Sequence, residues 1–153
     1  MKKYLLWILT GLLLFASCSK EEEKMLLGKW IFDNDVCTSQ KQYSDIYKST
    51  YPDATIDETI HHNPANMIYG YWDFNNTEVH WYYQYVNGDI QKNKGSYHIQ
   101  DDVLYVGATP YKIIEQGDKK LTTQYIDTTC FYDENYEKQI AWKEIWTFKL
   151  NKE

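Results

Sequence analysis

Arginine is absent from this 153-residue chain, and all sixteen of its basic residues are lysine. Without a planar guanidinium fork, no side chain can hold a carboxylate or phosphate through two parallel hydrogen bonds. Sites for phosphorylated or strongly anionic ligands are therefore disfavoured. Positive charge of any kind is scarce, with 16 basic against 22 acidic residues and a net charge of −6. Nucleic-acid backbones are gripped by clustered basic side chains, so nucleic acid is not an expected partner. The chain has no glycine-rich phosphate cradle, no CxxC pair and no triad-like spacing of nucleophile, base and acid. It has only three cysteines. Its longest apolar run, Leu5 to Phe15, is about a dozen residues, whereas a membrane-spanning helix needs about 20.

That short run is informative in its setting. Lys2 and Lys3 precede it, and Leu14-Phe15-Ala16-Ser17-Cys18 closes it before Ser19-Lys20-Glu21-Glu22. A positive start, a short apolar middle and small residues before a cut site describe a secretory signal, and the run is too short for an uncleaved anchor. A Cys at the cut site resembles the lipobox of bacterial lipoproteins. The resemblance implies that residues 1–17 are removed and that Cys18 carries acyl chains of the palmitate type. Several such chains give stable anchoring, since each buried methylene contributes about 0.8 kcal/mol. Lys20-Glu21-Glu22-Glu23 resembles the signal that carries some Gram-negative lipoproteins to the outer face of the outer membrane; it reads equally well as a solvated tether.

Cleavage leaves 153 − 17 = 136 residues, enough for one domain and too few for two. The expected division is a signal over 1–17, a lipidated tether over 18–25 and one folded domain over 26–153. Without Lys2 and Lys3 the balance is 14 − 22 = −8. With Cys18 acylated, Cys37 and Cys130 remain in an oxidising setting, where disulfides persist. They are expected to pair, closing a loop of roughly 90 residues that contributes up to about 4–5 kcal/mol on the chain-entropy account.

From Leu26 onward, runs rich in Tyr, Trp, Val, Ile and Thr alternate with Asn, Asp and Gly, the signature of strands and turns. Eight strands are expected: 28–33, 67–74, 77–86, 94–100, 103–106, a sixth opened by Pro110, 121–132 and 139–150. Asn75-Asn76, Asn87-Gly88-Asp89, Asp101-Asp102 and Gly117-Asp118 supply the turns. In the third strand Val79, Trp81, Tyr83 and Tyr85 share one face while Glu78, His80, Tyr82 and Gln84 share the other. Neighbouring strands joined by short connections usually pair, and an antiparallel meander loses its edges by closing into a barrel or a flattened sandwich. Between Asn34 and Asn66 the pattern stops. There Ser39-Gln40-Lys41-Gln42 resembles a capping box, and Tyr43, Ile46, Tyr47 and Tyr51 recur at helical spacing until Pro52. A helix of about ten residues is expected, either covering one barrel end as core or acting as a lid.

Leu27-Gly28-Lys29-Trp30 at the first strand, the long connection, and the closing Trp146-Thr147-Phe148-Lys149-Leu150 together resemble the lipocalin-like lipoproteins of Gram-negative bacteria, within the calycin group. The resemblance implies an all-β, eight-stranded antiparallel barrel with one short helix between its first two strands, and a cavity for a small apolar or amphipathic ligand. It further implies that Gly28 and Trp30 close the barrel bottom, where the family sets an Arg from near the last strand against the Trp. Lys143 or Lys149 is the expected substitute.

Aromatic residues make up 17% of the chain. Trp72, Trp81, Tyr83, Tyr85, Trp142 and Trp146 fall at alternating strand positions where they either line a cavity or fill the barrel. Tyr69, Tyr71, Tyr82 and His80 have the opposite parity and are expected outside, where aromatic rows can stack on neutral sugars or sit at the centre of a protein interface. Glu144 shares parity with Trp142, Trp146 and Phe148. Inside the barrel it would be an acid or a ligand anchor; a bulge between Trp142 and Trp146, the expected arrangement, would turn it to solvent. His61-His62 beside Asp57 and Glu58 offer metal-binding atom types, but adjacent side chains in an extended chain diverge. No metal or cofactor is expected.

Two functions follow. The first is a membrane-anchored, outer-membrane and cell-surface lipoprotein that binds a small apolar ligand in an aromatic barrel and is not an enzyme. The alternative is an interaction module that grips protein or neutral glycan through outward Tyr residues, with no cavity ligand.

Overall fold

The computed structural model describes residues 23–153. The expected signal, the acylated Cys18 and most of the tether lie outside that range. Ten strands follow: β1 (Gly28–Phe32), β2 (Thr38–Tyr43), β3 (His61–His62), β4 (Met67–Phe74), β5 (Glu78–Tyr85), β6 (Ile90–Gln100), β7 (Val103–Val106), β8 (Thr109–Gln116), β9 (Lys120–Tyr132) and β10 (Lys138–Lys152). One helix, α1 (Asp45–Thr50), lies between β2 and β3.

Local chemistry fixes the hairpins. Asp101 and Asp102 adopt φ of 51° and 60°, the left-handed pair that matches strand twist in a two-residue hairpin. Asn75 Oδ1 accepts from the backbone N–H of Thr77 at 3.0 Å and of Glu78 at 2.8 Å, which folds the β4–β5 turn. Gly88, at φ 90°, sits in the β5–β6 turn where a side chain would be strained.

All pairings are antiparallel, and β1 meets both β4 and β10, so the sheet closes as β1-β4-β5-β6-β7-β8-β9-β10. β2 extends the β1 wall upward: β1 pairs with β10 at Phe32↔Leu150, and β2 resumes on the same strand at Thr38↔Thr147. The result is the closed eight-stranded antiparallel barrel with one short helix that the resemblance implied, and not the flattened sandwich that strand periodicity also allowed. β7 and β8 are short. β6 meets β7 only from Tyr97 onward, and β9 meets β8 only as far as Gln124, so the β9–β10 hairpin rises above this part of the wall.

The lower end is filled. Leu26, Trp30, Val79, Leu104, Leu121 and Leu150 are all essentially inaccessible. The Trp30 indole N–H donates to Leu26 O at 2.6 Å, locking the helical turn over residues 23–26 beneath the barrel. The cation over Trp30 is neither Lys143 nor Lys149 but Lys152, whose Nζ lies 5.1 Å from the ring centroid and donates to Met25 O at 3.0 Å. From Trp142 onward the inward residues of β10 have even numbers, and Lys152 continues that row past Leu150. Lys143 and Lys149 fall on the outer parity. Gly28 has φ 106°, and a Cβ there would meet Lys152 Cε at 3.4 Å, so the Gly28-x-Trp30 motif serves this closure.

The segment from Thr38 to Tyr43 corrects the sequence reading. Ser39 is no helix cap; it is a buried strand residue opposite Trp146. The cap is Ser44, whose hydroxyl accepts from Tyr47 N–H at 3.1 Å, and the helix has six residues, not ten. Pro52 does end it, directly after the C-cap Tyr51.

The Cys37–Cys130 disulfide is not formed. Cys37 is buried, with its thiol 3.9 Å from Lys149 O, and Cys130 is exposed on β9 opposite Ile140. Thr38, next to Cys37, pairs with Thr147, seven residues along β10 from Ile140. That places the two thiols on the order of 20 Å apart, whereas a disulfide needs Cα atoms within about 7 Å.

Candidate functional site

Above the filled layers the barrel holds a cavity of about 190 Å³. Its walls come from five barrel strands and the loop before β4: Phe32 on β1, Trp72 and Met67 on β4, Tyr83 and Tyr85 on β5, with Ala65 preceding them. Tyr111 on β8 and Trp146 and Phe148 on β10 complete the lining. Strand alternation places these rings inside, and Phe32 is the hub. It meets Trp72 and Phe148 edge-on at 5.2 and 5.7 Å, with Tyr83 also at 5.7 Å. Gly70 makes room: a Cβ there would fall 2.6 Å from Met67 Sδ and 3.1 Å from Tyr83 Cδ1.

The polar features of the lining are hydroxyls and indole N–H groups. Trp72 Nε1 donates to Tyr83 Oη at 2.7 Å, which leaves the Tyr83 proton free to donate. Tyr85 donates to Gln91 Oε1 at 3.0 Å. Burial raises the Tyr83 pKa, with the Trp72 hydrogen bond opposing it. Burial, then the neighbouring Tyr125, pushes the Tyr111 pKa up to about 12. Both hydroxyls therefore stay protonated at any physiological pH.

Of the six aromatic residues singled out from sequence, Trp72, Tyr83, Tyr85 and Trp146 meet at this cavity. Trp81 and Trp142 do not. Trp81 faces inward opposite Trp72, but its ring packs over Gly95, whose Cβ would come within 3.3 Å of it. Trp142 stands higher on β10, beyond the cavity. It packs against Tyr43 at 5.4 Å and Tyr47 at 5.8 Å, with Lys41 Nζ 5.7 Å from its ring centroid. Tyr47 and Tyr51 also contact Phe131 at 5.5 and 5.7 Å. Tyr43, Tyr47 and Tyr51 thus pack on Phe131 and Trp142 of the β9–β10 hairpin and do not cap the cavity, while Ile46 is left exposed.

Glu144 also departs from expectation. The β9–β10 register runs unbroken from Trp142 to Asn151, and the irregularity falls earlier, between Ile140 and Trp142. Glu144 therefore keeps the parity of Trp146 and stands half-buried above the cavity, with Lys41 opposite on β2 and Asp127 opposite on β9.

On the outer wall, Tyr69, Tyr71 and Tyr82 come together as their parity implied. Tyr71 and Tyr82 stack at 5.4 Å and 9°, and Tyr69 joins them at 5.9 and 6.1 Å. Lys29 Nζ lies 4.9 Å from the Tyr71 centroid and pairs with Glu153 at 2.9 Å. The Lys29 pKa is pushed up to about 12, chiefly by that hydrogen bond to Glu153 and then by Tyr69. His80 is on the same outer parity but pairs with Glu78 at 3.6 Å. His61 and His62 are exposed on β3, with His61 3.6 Å from Asp57. Among the described residues no group of three or more His, Cys, Asp or Glu side chains could hold a metal ion.

Five lining residues add to the set singled out from sequence, among them Ala65 in the loop before β4. Phe32, Tyr111 and Phe148 sit at inward parity on their strands and follow from the same alternation. Met67 faces in only because the β4–β5 register shifts between Met67 and Tyr69, a break that strand periodicity does not announce.

No protein-family model matches this chain, and neither a curated protein nor a solved structure matches it.

Proposed function

We propose that this chain is an outer-membrane lipoprotein of lipocalin-like type, acylated at Cys18 after loss of residues 1–17, whose barrel binds a small apolar or amphipathic molecule. The observation that carries the binding reading is the cavity of about 190 Å³ ringed by Phe32, Trp72, Tyr83 and Trp146. Concave, aromatic sites with a few fixed polar groups are where small ligands bind. The lining supports binding rather than catalysis: its titratable groups are tyrosines, and burial holds Tyr83 and Tyr111 in the protonated form. The anchoring reading is supported by the lipobox-like Leu14–Cys18 segment, and the net acidity of the chain disfavours nucleic acid.

Native mass spectrometry of the full chain isolated from its membrane tests the binding half. A co-purifying molecule of defined mass, lost in Trp146→Ala, is the expected result; repeatedly empty protein would defeat it. Metabolic labelling with an alkynyl fatty acid tests the anchor, with the label expected on the native chain and missing from Cys18→Ala.

The Tyr69–Tyr71–Tyr82 stack favours a second reading, in which the outer wall grips a neutral glycan or a protein partner. Retention on a neutral-glycan or protein array that disappears in Tyr71→Ala while the cavity ligand stays bound would select it.

A further inference from the structure

The cavity's size and lining narrow its occupant. An apolar cavity of about 150 Å³ holds benzene and drug-sized ligands occupy about 300 Å³ or more. At about 190 Å³ this one suits a single ring with a short substituent, and a long acyl chain would leave most of its length outside. The walls are planar and meet edge-to-face, with Phe32 to Phe148 at 88° and Trp72 to Tyr111 at 69°. A flat ring continues that arrangement, since aromatic pairs favour offset or T-shaped contacts.

No charged side chain lines the space. A charged ligand would lose its hydration without a compensating partner. Tyr83 has already accepted the Trp72 N–H, so the hydrogen bond it has to give is a donation. Tyr111, held protonated by its burial, is a second donor. The cavity is thus rich in donors, and a group that accepts hydrogen bonds is what they would orient.

We propose that the barrel takes a neutral, single-ring aromatic molecule bearing a hydrogen-bond-accepting oxygen, of the aryl ketone or aryl aldehyde class, held by Tyr83 and Tyr111. This rests on the cavity-binding reading above and specifies its ligand class.

The test uses the full chain in lipid nanodiscs, titrated calorimetrically with acetophenone, toluene, benzoate and decanol, with empty discs subtracted. Acetophenone is expected to bind about tenfold more tightly than toluene, the weight of about one hydrogen bond, and benzoate and decanol are expected not to compete. In Tyr111→Phe, which leaves the Trp72–Tyr83 hydrogen bond in place, the preference for acetophenone over toluene should shrink severalfold, and an unchanged preference would overturn the role of Tyr111 as a donor to the ligand. Equal binding of acetophenone and toluene to the native chain, or stronger binding of benzoate or decanol, overturns the ligand class while leaving a cavity binder. Heat from none of the four overturns the class, and the cavity reading falls with it when the chain is also empty in the native mass spectrum; heat that persists unchanged in Trp146→Ala overturns both.

Discussion

The two ends of this barrel use the same kind of residue in opposite ways. At the lower end Trp30 is completely buried under Leu26 and the turn over residues 23–26, with Lys152 against its ring. At the upper end Trp146 is half-exposed and borders a space that no side chain fills. The difference lies in what the flanking chain supplies. Residues 23–27 lead directly into β1 and are short enough to fold under it. The longer segment between β1 and β4 could cover the top, but its tyrosines spend their contacts on Trp142 and Phe131 of the β9–β10 hairpin. Abundance of aromatic residues therefore does not decide whether a barrel is filled. Where the next layer of chain is delivered does.

Deleting one ring from each end breaks the comparison most strongly. Trp30→Ala removes a fully buried indole and is expected to cost about 3–5 kcal/mol, read as a fall in the urea midpoint. Trp146→Ala should cost distinctly less, about 1–2 kcal/mol, because part of its surface already meets water. Equal losses would mean that the upper space is not open.

Alkaline pH probes the upper end next. The Tyr83 and Tyr111 hydroxyls have folded-state pKa values above the usual tyrosine value, so they keep their protons where the unfolded chain has released them. Their contribution is intact below about pH 10 and is lost as pH rises towards 12, at a limiting slope of about 1.4 kcal/mol per pH unit for each group. Denaturant midpoints measured from pH 8 to 12 should show the decline, and Tyr111→Phe should make it shallower. An unchanged slope in that variant would contradict the assignment.

Gly70→Ala sharpens the contrast without dismantling the fold. The new methyl must displace the flexible end of Met67, 2.6 Å away, into the neighbouring space. Stability should change by about 1 kcal/mol or less while probe binding weakens at least tenfold, measured by calorimetry. At the lower end Lys152→Met should cost only about 0.5–1 kcal/mol, the usual weight of an exposed cation over a ring.

The smallest effect belongs to the cysteines. Burial raises the pKa of the Cys37 thiol, so Cys130 should react with iodoacetamide in the native state and Cys37 only on unfolding. A reducing agent should leave the melting temperature unchanged.

Most of the fold was legible because turn chemistry is local. Asn75, Gly88 and the Asp101-Asp102 pair mark strand ends within a residue or two, and alternation then assigns Trp72, Tyr83 and Trp146 to the interior. Thr38–Tyr43 was misread because its strand character comes from pairing with residues about a hundred positions away, while its Ser and Gln spacing mimics a helix start. Cysteine number and compartment carry no distance, so they could not say that Cys37 and Cys130 face different ends of β10. Trp81 has the parity of its neighbours, but the absence of a side chain at Gly95, on another strand, decides where its ring lies. The position of the β10 bulge, which set Glu144 inward, depends on one extra residue at Ala141 that the composition of the strand does not reveal.

The turn over residues 23–26 sits beneath the sealed floor, beside Lys152 and Ile99. The five residue steps from Cys18 to Glu23 reach at most about 18 Å. With lipid on Cys18, the sealed floor would be held close to the bilayer and the opening would point into the surrounding fluid. If the barrel takes the ligand proposed above, that molecule would then be captured from the fluid, not by sideways transfer out of the hydrocarbon, and uptake would depend on its concentration in water rather than on its partitioning into the membrane.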